Sequence, residues 1–289
     1  MRSAGLEDGM EHTDLELDDL VMDPEWEEYR FAGTEQLFGS EALRHFKAAH
    51  VCVIGIGGVG SWAVEALARS GVGKLTLVDM DDVCITNMNR QLHALQPLIG
   101  RQKIDVMAER MRQINPNIEI EIVSEYFMNS TAERILGTLN GLAAPAEKSR
   151  YSVIIDTIGD AKYKADLIYH ASSRNVPVIS VGSVSGRNDT TQIAKGPLSL
   201  ATNDPLLDAV KNRLRDTYGY EIGEDSANGA LSARCVTCVY SREPHPSTTD
   251  GGFRMDYGTA THLTGAFGFV ASYLSLSCIA AEVEPSATT

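Results

Sequence analysis

"HVCVIGIGGVGSWAVEALARSGVGKLTLVDMDDVCITNMNRQ" spans residues 50–91, and its reading decides the fold. It opens on HVCVIG, an apolar run of buried-strand length. Gly55, Gly57 and Gly60 follow at G-x-G-x-x-G spacing, with Gly58 between them, and a helical pattern covers Ser61–Ser70. SGVG marks a turn, and KLTLVDMD reads as a second strand. Such a turn between strand and helix exposes backbone N–H groups and aims a helix N-terminus at a phosphate. Asp79 lies nineteen residues after Gly60, at the end of the second strand. An acid there can accept from ribose hydroxyls. These features predict an adenine nucleotide without saying which one.

The residues after Asp79 separate the cofactor classes. A nicotinamide site needs an apolar slot there. This chain instead supplies Asp81, Asn87, Asn89, Arg90 and Gln91, with Lys103 twelve residues further on. Arg90 and Lys103 can neutralise a triphosphate, and a carboxylate can hold magnesium. Asparagine amides can donate to phosphate oxygens. The set predicts Mg-ATP rather than NAD, and suits attack on the α-phosphate with pyrophosphate leaving.

Outward from this stretch, GRQKIDVMAERMRQI is amphipathic and stops before Pro116, and IEIEIV alternates as a strand does. YSVIID and NVPVISVG are further apolar strands with a helix between them. On the N-terminal side, Leu37–Phe46 predicts a short helix with Ser40 as its N-cap. Alternating strands and helices imply an α/β fold with a doubly wound, Rossmann-like, mostly parallel sheet. After Gly186 the pattern changes, which predicts a smaller C-terminal α+β extension. NDPLLDAVKNRLRDTYGY there is a helix capped by Asn203 or Asp204, and the segment from Ser226 to Gly252 reads as a long polar loop region. The expected organisation is an acidic disordered tail over 1–28, a nucleotide-binding domain over 29–186, and a substrate or dimer region over 187–289.

Composition narrows the function. The net charge is −14, but residues 1–29 hold eleven acids against one base, so the rest of the chain is close to neutral. A local basic patch for nucleic acid is therefore compatible with the acidic total. The five cysteines show no framework spacing and the N-terminus lacks a signal pattern, which predicts a reducing, cytoplasmic setting. Leu263–Ala281 is nineteen residues without a charge. Its serines, glycines and tyrosine favour a buried helix over a membrane span.

The residues from Gly55 to Gln91, with GRQKIDVMAERMRQINP after them, resemble the adenylating family of ubiquitin- and sulfur-carrier-activating enzymes. Within it they are most similar to the branch that dehydrates threonylcarbamoyladenosine in tRNA. The D-x-D-x-V-x-x-x-N-x-x-R-Q pattern carries the likeness, and VIIDTIGDAKYKADLI, CVYSREP and GAFGFVAS extend it more weakly. The resemblance implies adenylation of a carboxylate on the tRNA, attack on the activated carbonyl from within the same modification, and ring closure with loss of AMP. It places Asp79 on the ribose and Asn87, Asn89, Arg90 and Lys103 on phosphates. It implies a homodimer, with Arg30 reaching into the partner subunit's site. The family pattern D-x-x-D departs here to Asp156-Thr-Ile-Gly-Asp160, so either Asp160 or Asp156 is expected to hold magnesium, with Gly159 turning the chain to bring Asp160 into place.

Three further expectations accompany the resemblance. Cys238 matches a position proposed in some relatives to accept sulfur or act as a nucleophile, and Arg234 and Arg242 could lower its pKa. That would bring in a cysteine desulfurase or another sulfur-transfer partner, although cyclisation of an acyl-adenylate needs no protein nucleophile. The chain has one C-x-x-C pair, Cys235 and Cys238, and two thiols cannot fill a tetrahedral site, so no zinc is expected. Lys211, Arg213 and Arg215 on the later helix are candidates to track tRNA phosphates. Two alternatives stand beside this reading: activation of the C-terminus of a small sulfur-carrier protein, and a non-catalytic nucleotide-binding scaffold.

Overall fold

The computed structural model describes residue 26 and residues 29–137, 149–220, 222, 236–246 and 258–281. The expected acidic tail lies almost wholly outside the described residues, as do Arg234 and Cys235.

Seven strands form one sheet in the order β3-β2-β1-β4-β5-β7-β6. They are β1 (His50–Ile54), β2 (Lys74–Val78), β3 (Glu119–Val123), β4 (Val153–Asp156), β5 (Val178–Val181), β6 (Ile193–Pro197) and β7 (Val236–Ser241). All neighbours are parallel except β6 and β7, which run antiparallel along one edge. The helices are α1 (Ala32–Phe38), α2 (Ser40–Ala48), α3 (Gly60–Arg69), α4 (Lys103–Ile114), α5 (Ala132–Leu136), α6 (Ala161–Ser172), α7 (Pro205–Tyr218) and α8 (Thr261–Ala280). One core packs α2, α3, α4 and α8 on one face of the sheet, and a second packs α5, α6 and α7 on the other. Strand order reverses between β1 and β4, where a doubly wound sheet opens a crevice beyond its carboxyl ends.

Local chemistry explains most of the boundaries. Asp204 caps α7, accepting from Leu207 N, and Pro205 occupies the first turn, where its missing N–H costs nothing. Asp160 caps α6, accepting from Lys162 N and Tyr163 N. The N-terminal segment differs from expectation. It forms two helices, and Gly39 with φ +89° sits between them, so Ser40 is the first residue of α2 and not its cap. The long polar loop region is also corrected, because VTCVYS within it forms β7, an interior strand of the sheet. Serine and threonine obscured an alternation that neighbouring strands satisfy.

The sheet continues across Gly186. Residues beyond it add β6 and β7 to the same sheet and lay α8 on the same face as α3. α8 is long and apolar enough to cross a membrane, yet 61% of its apolar window is buried within the protein. Small residues let it approach α3 closely. A side chain at Gly268 would meet Val59 O at 2.7 Å and Trp62 Cβ at 2.8 Å. The buried stripe of α8 carries Leu263, Phe267, Ala271, Leu274 and Ile279 into the core, while Phe269 and Tyr273 stay about half exposed.

Candidate functional site

The glycine turn sits at the reversal point. Gly55 leaves β1 with φ +92°, and a Cβ there would lie 2.8 Å from Thr157 Oγ1. Thr157, just past β4, donates that hydroxyl to Gly55 O at 2.5 Å. Gly60 begins α3 so close to the turn that a Cβ would lie 1.9 Å from Gly55 O. Only glycine allows this packing, which brings the helix N-terminus onto the crevice.

Asp79 ends beside the turn. Its Oδ2 accepts from Ile56 N at 2.6 Å and its Oδ1 from Asp81 N at 2.8 Å. Burial raises its pKa, against the opposing pull of Lys103 and those two N–H groups. Asp81 pairs with Lys103 at 2.8 Å and accepts from Tyr126 OH at 2.8 Å; the Lys103 bond leads in holding its carboxyl below the usual range. Asn87 is buried and its Oδ1 accepts from Cys84 N at 3.0 Å, so this oxygen shapes the short helical turn that carries the loop. Gln91 is buried too, and its Oε1 has no partner.

Asn89 and Arg90 lie across from these groups. Arg90 donates to Thr86 O at 2.7 Å and to Asn89 Oδ1 at 3.0 Å. Asn89 donates to Thr259 O at 2.8 Å. The Arg90 carbonyl accepts from Trp62 Nε1 and from Thr264 Oγ1, both at 3.1 Å. Both side chains open onto a cavity of about 740 Å³ whose near wall is Gly57 and Gly58. Its far wall is the loop Gly182–Ser185 beyond β5, with Thr157–Gly159 between. Asp204 fixes that far wall: its Oδ2 accepts from Ser183 N at 2.8 Å, and it packs against Gly182 where a Cβ would come within 2.0 Å. Asp79, Asp81 and Lys103 thus stand beside the glycine turn without lining the cavity.

Several expected residues do something else. Asp156 is not available to magnesium. It is fully buried at the end of β4, paired with Lys164 Nζ at 2.8 Å and accepting from Ser180 Oγ at 2.8 Å. Asp160 is exposed and one of its oxygens caps α6. Gly159 has no positive φ, so the turn toward Asp160 does not use a glycine-only conformation. Cys238 is not a loop nucleophile. It is fully buried in β7 beside Ser180, and burial pushes its thiol up to about 12, the opposite of an activated cysteine. Cys238→Ala is therefore expected to leave turnover within about threefold of the parent and to affect only stability, as steady-state assays with thermal melts would show.

The three basic candidates do not form a stripe. At about 100° per residue, Arg213 lies on the opposite side of α7 from Lys211 and Arg215. Lys211 binds Asp208 at 2.7 Å, Arg215 binds Asp216 at 3.1 Å, and Arg213 turns toward buried Asp166 at 3.9 Å. Arg30, half-buried ahead of α1, is also engaged within its own chain. Among the described residues no cluster of three metal-ligating side chains occurs.

The sequence shows Asp204 as a helix cap but not its hold on the Gly182–Ser185 wall, and it does not show the parts played by Thr157 and Thr264. Each of these contacts acts across a long sequence separation.

A glycine turn at the switch point, an acid closing the second strand and an arginine at an open cavity define a nucleotide-dependent enzyme of the doubly wound class. The comparisons narrow the class. The ThiF family model matches residues 32–286, and the chain belongs to that family. It is 39% identical to the tRNA threonylcarbamoyladenosine dehydratase of Escherichia coli K12, over 87% of this chain and 93% of that one. It is 38% identical to the enzyme of that description from Haemophilus influenzae, over 84% and 90%. The crystal structure of the E. coli enzyme in complex with ATP superposes with a TM-score of 0.76, covering 91% of this chain and 98% of that one at 39% identity.

Proposed function

We propose that this chain is an ATP-dependent dehydratase that cyclises threonylcarbamoyladenosine in tRNA. The observation that carries the reading is the cavity between the glycine turn and the Gly182–Ser185 wall, with Arg90 at its side. Near-full-length similarity to dehydratases supports it, including one crystallised with ATP and with AMP. ATP fits the residues present: the turn admits no side chains at Gly55 or Gly60, and buried polar atoms of Gln91 and His93 behind it have no partner.

In this reading Asp79 sets the turn and meets the ribose, and Lys103 and Arg90 balance phosphate charge. The substrate carboxylate oxygen attacks the α-phosphorus from the cavity, and pyrophosphate leaves. A tethered atom of the same modified nucleoside then attacks the acyl carbon, and the carbon–oxygen bond to AMP breaks. The carboxylate oxygen departs with AMP, so the nucleoside loses the elements of water. The chain's part is positioning and charge stabilisation. The cyclising atom is already tethered and Cys238 is enclosed, so this reading needs no sulfur-transfer partner. Residues 29–186 supply most of the nucleotide side, and 187–289 close the substrate side. We assign the enzyme to the cytoplasm, where its tRNA substrate resides, and to a homodimer with Arg30 offered across the interface.

Asp160 remains the carboxylate proposed for magnesium, as one ligand beside phosphate and water oxygens. Asp160→Asn keeps the cap, since asparagine caps as well as aspartate. It is expected to raise the magnesium concentration needed for half-maximal turnover several-fold with the melting temperature unchanged. An unaltered magnesium curve would remove Asp160 from the metal. The function itself is tested by mass spectrometry of nucleosides after incubating tRNA with enzyme and ATP. The expected product is lighter by one water and appears with equimolar AMP and pyrophosphate. Formation of ADP and phosphate would overturn the reading.

A further inference from the structure

His93 is almost completely buried, and neither ring nitrogen has a hydrogen-bond partner. It lies in the segment after Arg90 and Gln91 that is clamped against α3 through Ser61 Oγ, which accepts from Leu92 N at 3.2 Å. The ring faces the backbone of Ile56, which acts on it as an acceptor would, without closing a hydrogen bond. Burial, followed by the positive charge of Lys103, lowers its pKa to about 4, so the imidazole is neutral at working pH. A neutral imidazole carries one N–H donor and one acceptor. Its neighbour Gln91 is also buried with Oε1 unpartnered, and its amide nitrogen lies beside Gly57. Orphaned polar groups of this kind are rare in folded interiors and call for an explanation.

The geometry of the turn supplies one. In a trans peptide the carbonyl of one residue and the N–H of the next point in opposite directions. Drawing Ile56 O back toward His93 therefore turns Gly57 N–H outward, toward the face where a phosphate would sit. Ile56 N–H is already held by Asp79 Oδ2 at 2.6 Å. We propose that His93 is a positioning residue for the glycine turn: on ATP binding its ring N–H closes onto Ile56 O, fixing that peptide so that Gly57 N–H meets the phosphates. Ile56 is then held at both ends, by Asp79 and by His93. His93 touches neither substrate nor reacting atoms, and the inference rests on the ATP reading above.

The test compares ATP affinity and stability in the full-length protein and in His93→Phe and His93→Gln. Phenylalanine keeps the ring and removes the donor. It is expected to weaken ATP binding about fivefold by calorimetry, the value of one neutral hydrogen bond that closes only on binding. The KM for ATP should rise similarly, with kcat at saturating ATP within about twofold. The nucleotide-free melting temperature should hold or rise, because two orphaned nitrogens are gone. His93→Gln, which restores an N–H, should recover most of the affinity. In the parent protein labelled with 15N-histidine, one ring nitrogen should shift on adding a non-hydrolysable ATP analogue. If the parent binds ATP and His93→Phe binds equally well, the role of His93 is wrong while the function stands. If His93→Phe does not fold, an unchanged histidine ring spectrum in the parent overturns the role. A parent that does not bind ATP overturns the function and this inference together.

Discussion

Arg90→Ala is expected to lower pyrophosphate release at least about 100-fold, the size of effect seen when one charged or oriented donor is taken from a developing phosphate or oxyanion charge. The side chain lies at the cavity, held by Thr86 O and Asn89 Oδ1. Those bonds preset its direction before any ligand arrives. Structure elsewhere does not lean on the guanidinium: Trp62 and Thr264 bond to the Arg90 carbonyl, which alanine retains. The variant should thus melt within a few degrees of the parent. A quantitative isotope-exchange assay between pyrophosphate and ATP, run on the variant, checks this. Exchange within tenfold of the parent would mean that the phosphates lie elsewhere.

Lys164→Ala is expected to cost about 3–5 kcal/mol, because it strands a buried carboxylate without its counter-ion. Both Lys164 and Asp156 are fully enclosed, with Lys164 Nζ 2.8 Å from Asp156 Oδ2 and 3.3 Å from Ser180 Oγ. The remaining Asp156 oxygen accepts from Ile158 N at 3.1 Å, which ties the pair to the Thr157–Gly159 segment of the cavity. Typical domains are stable by only about 5–15 kcal/mol, so the loss approaches the threshold for folding. Urea titrations measure it. Replacing both partners together, Asp156→Asn with Lys164→Met, should recover a large part of the deficit, since the desolvated charge disappears as well. A single-variant loss under about 1 kcal/mol would contradict an ion pair in this position.

These two residues also show what the sequence made legible. Arg90 was readable because its neighbours form a dense local pattern: an acid at a strand end, two asparagines and a glutamine within a few positions. Fold class was readable for a similar reason, since β1, the glycine turn, α3 and β2 are consecutive. Asp156 misled because a strand-end acid offers the same residue type whether it binds metal or a buried lysine eight positions on. Cys238 misled because β7 is rich in hydroxyl residues, so an interior strand resembled a loop. Lys211, Arg213 and Arg215 looked like a patch in one dimension, while helical geometry separates them and acids neutralise them. Long-range closure left no local trace: Asn89 meets Thr259, and Arg90 meets Thr264.

That closure has a consequence for biosynthesis. The nucleotide motifs are complete by Lys103, but the cavity is finished by Gly258, Thr259 and Thr264 near the other end of the chain. α8 also seats its glycines directly on α3, the helix that carries the phosphate turn. A nascent chain emerging from the ribosome therefore carries the recognisable half of the site long before it can use it. The apolar face of α3 that α8 covers stays open until α8 has been synthesised. Nonsense truncations before residue 258 should yield chains that are degraded or aggregated, and not a partly active nucleotide-binding fragment.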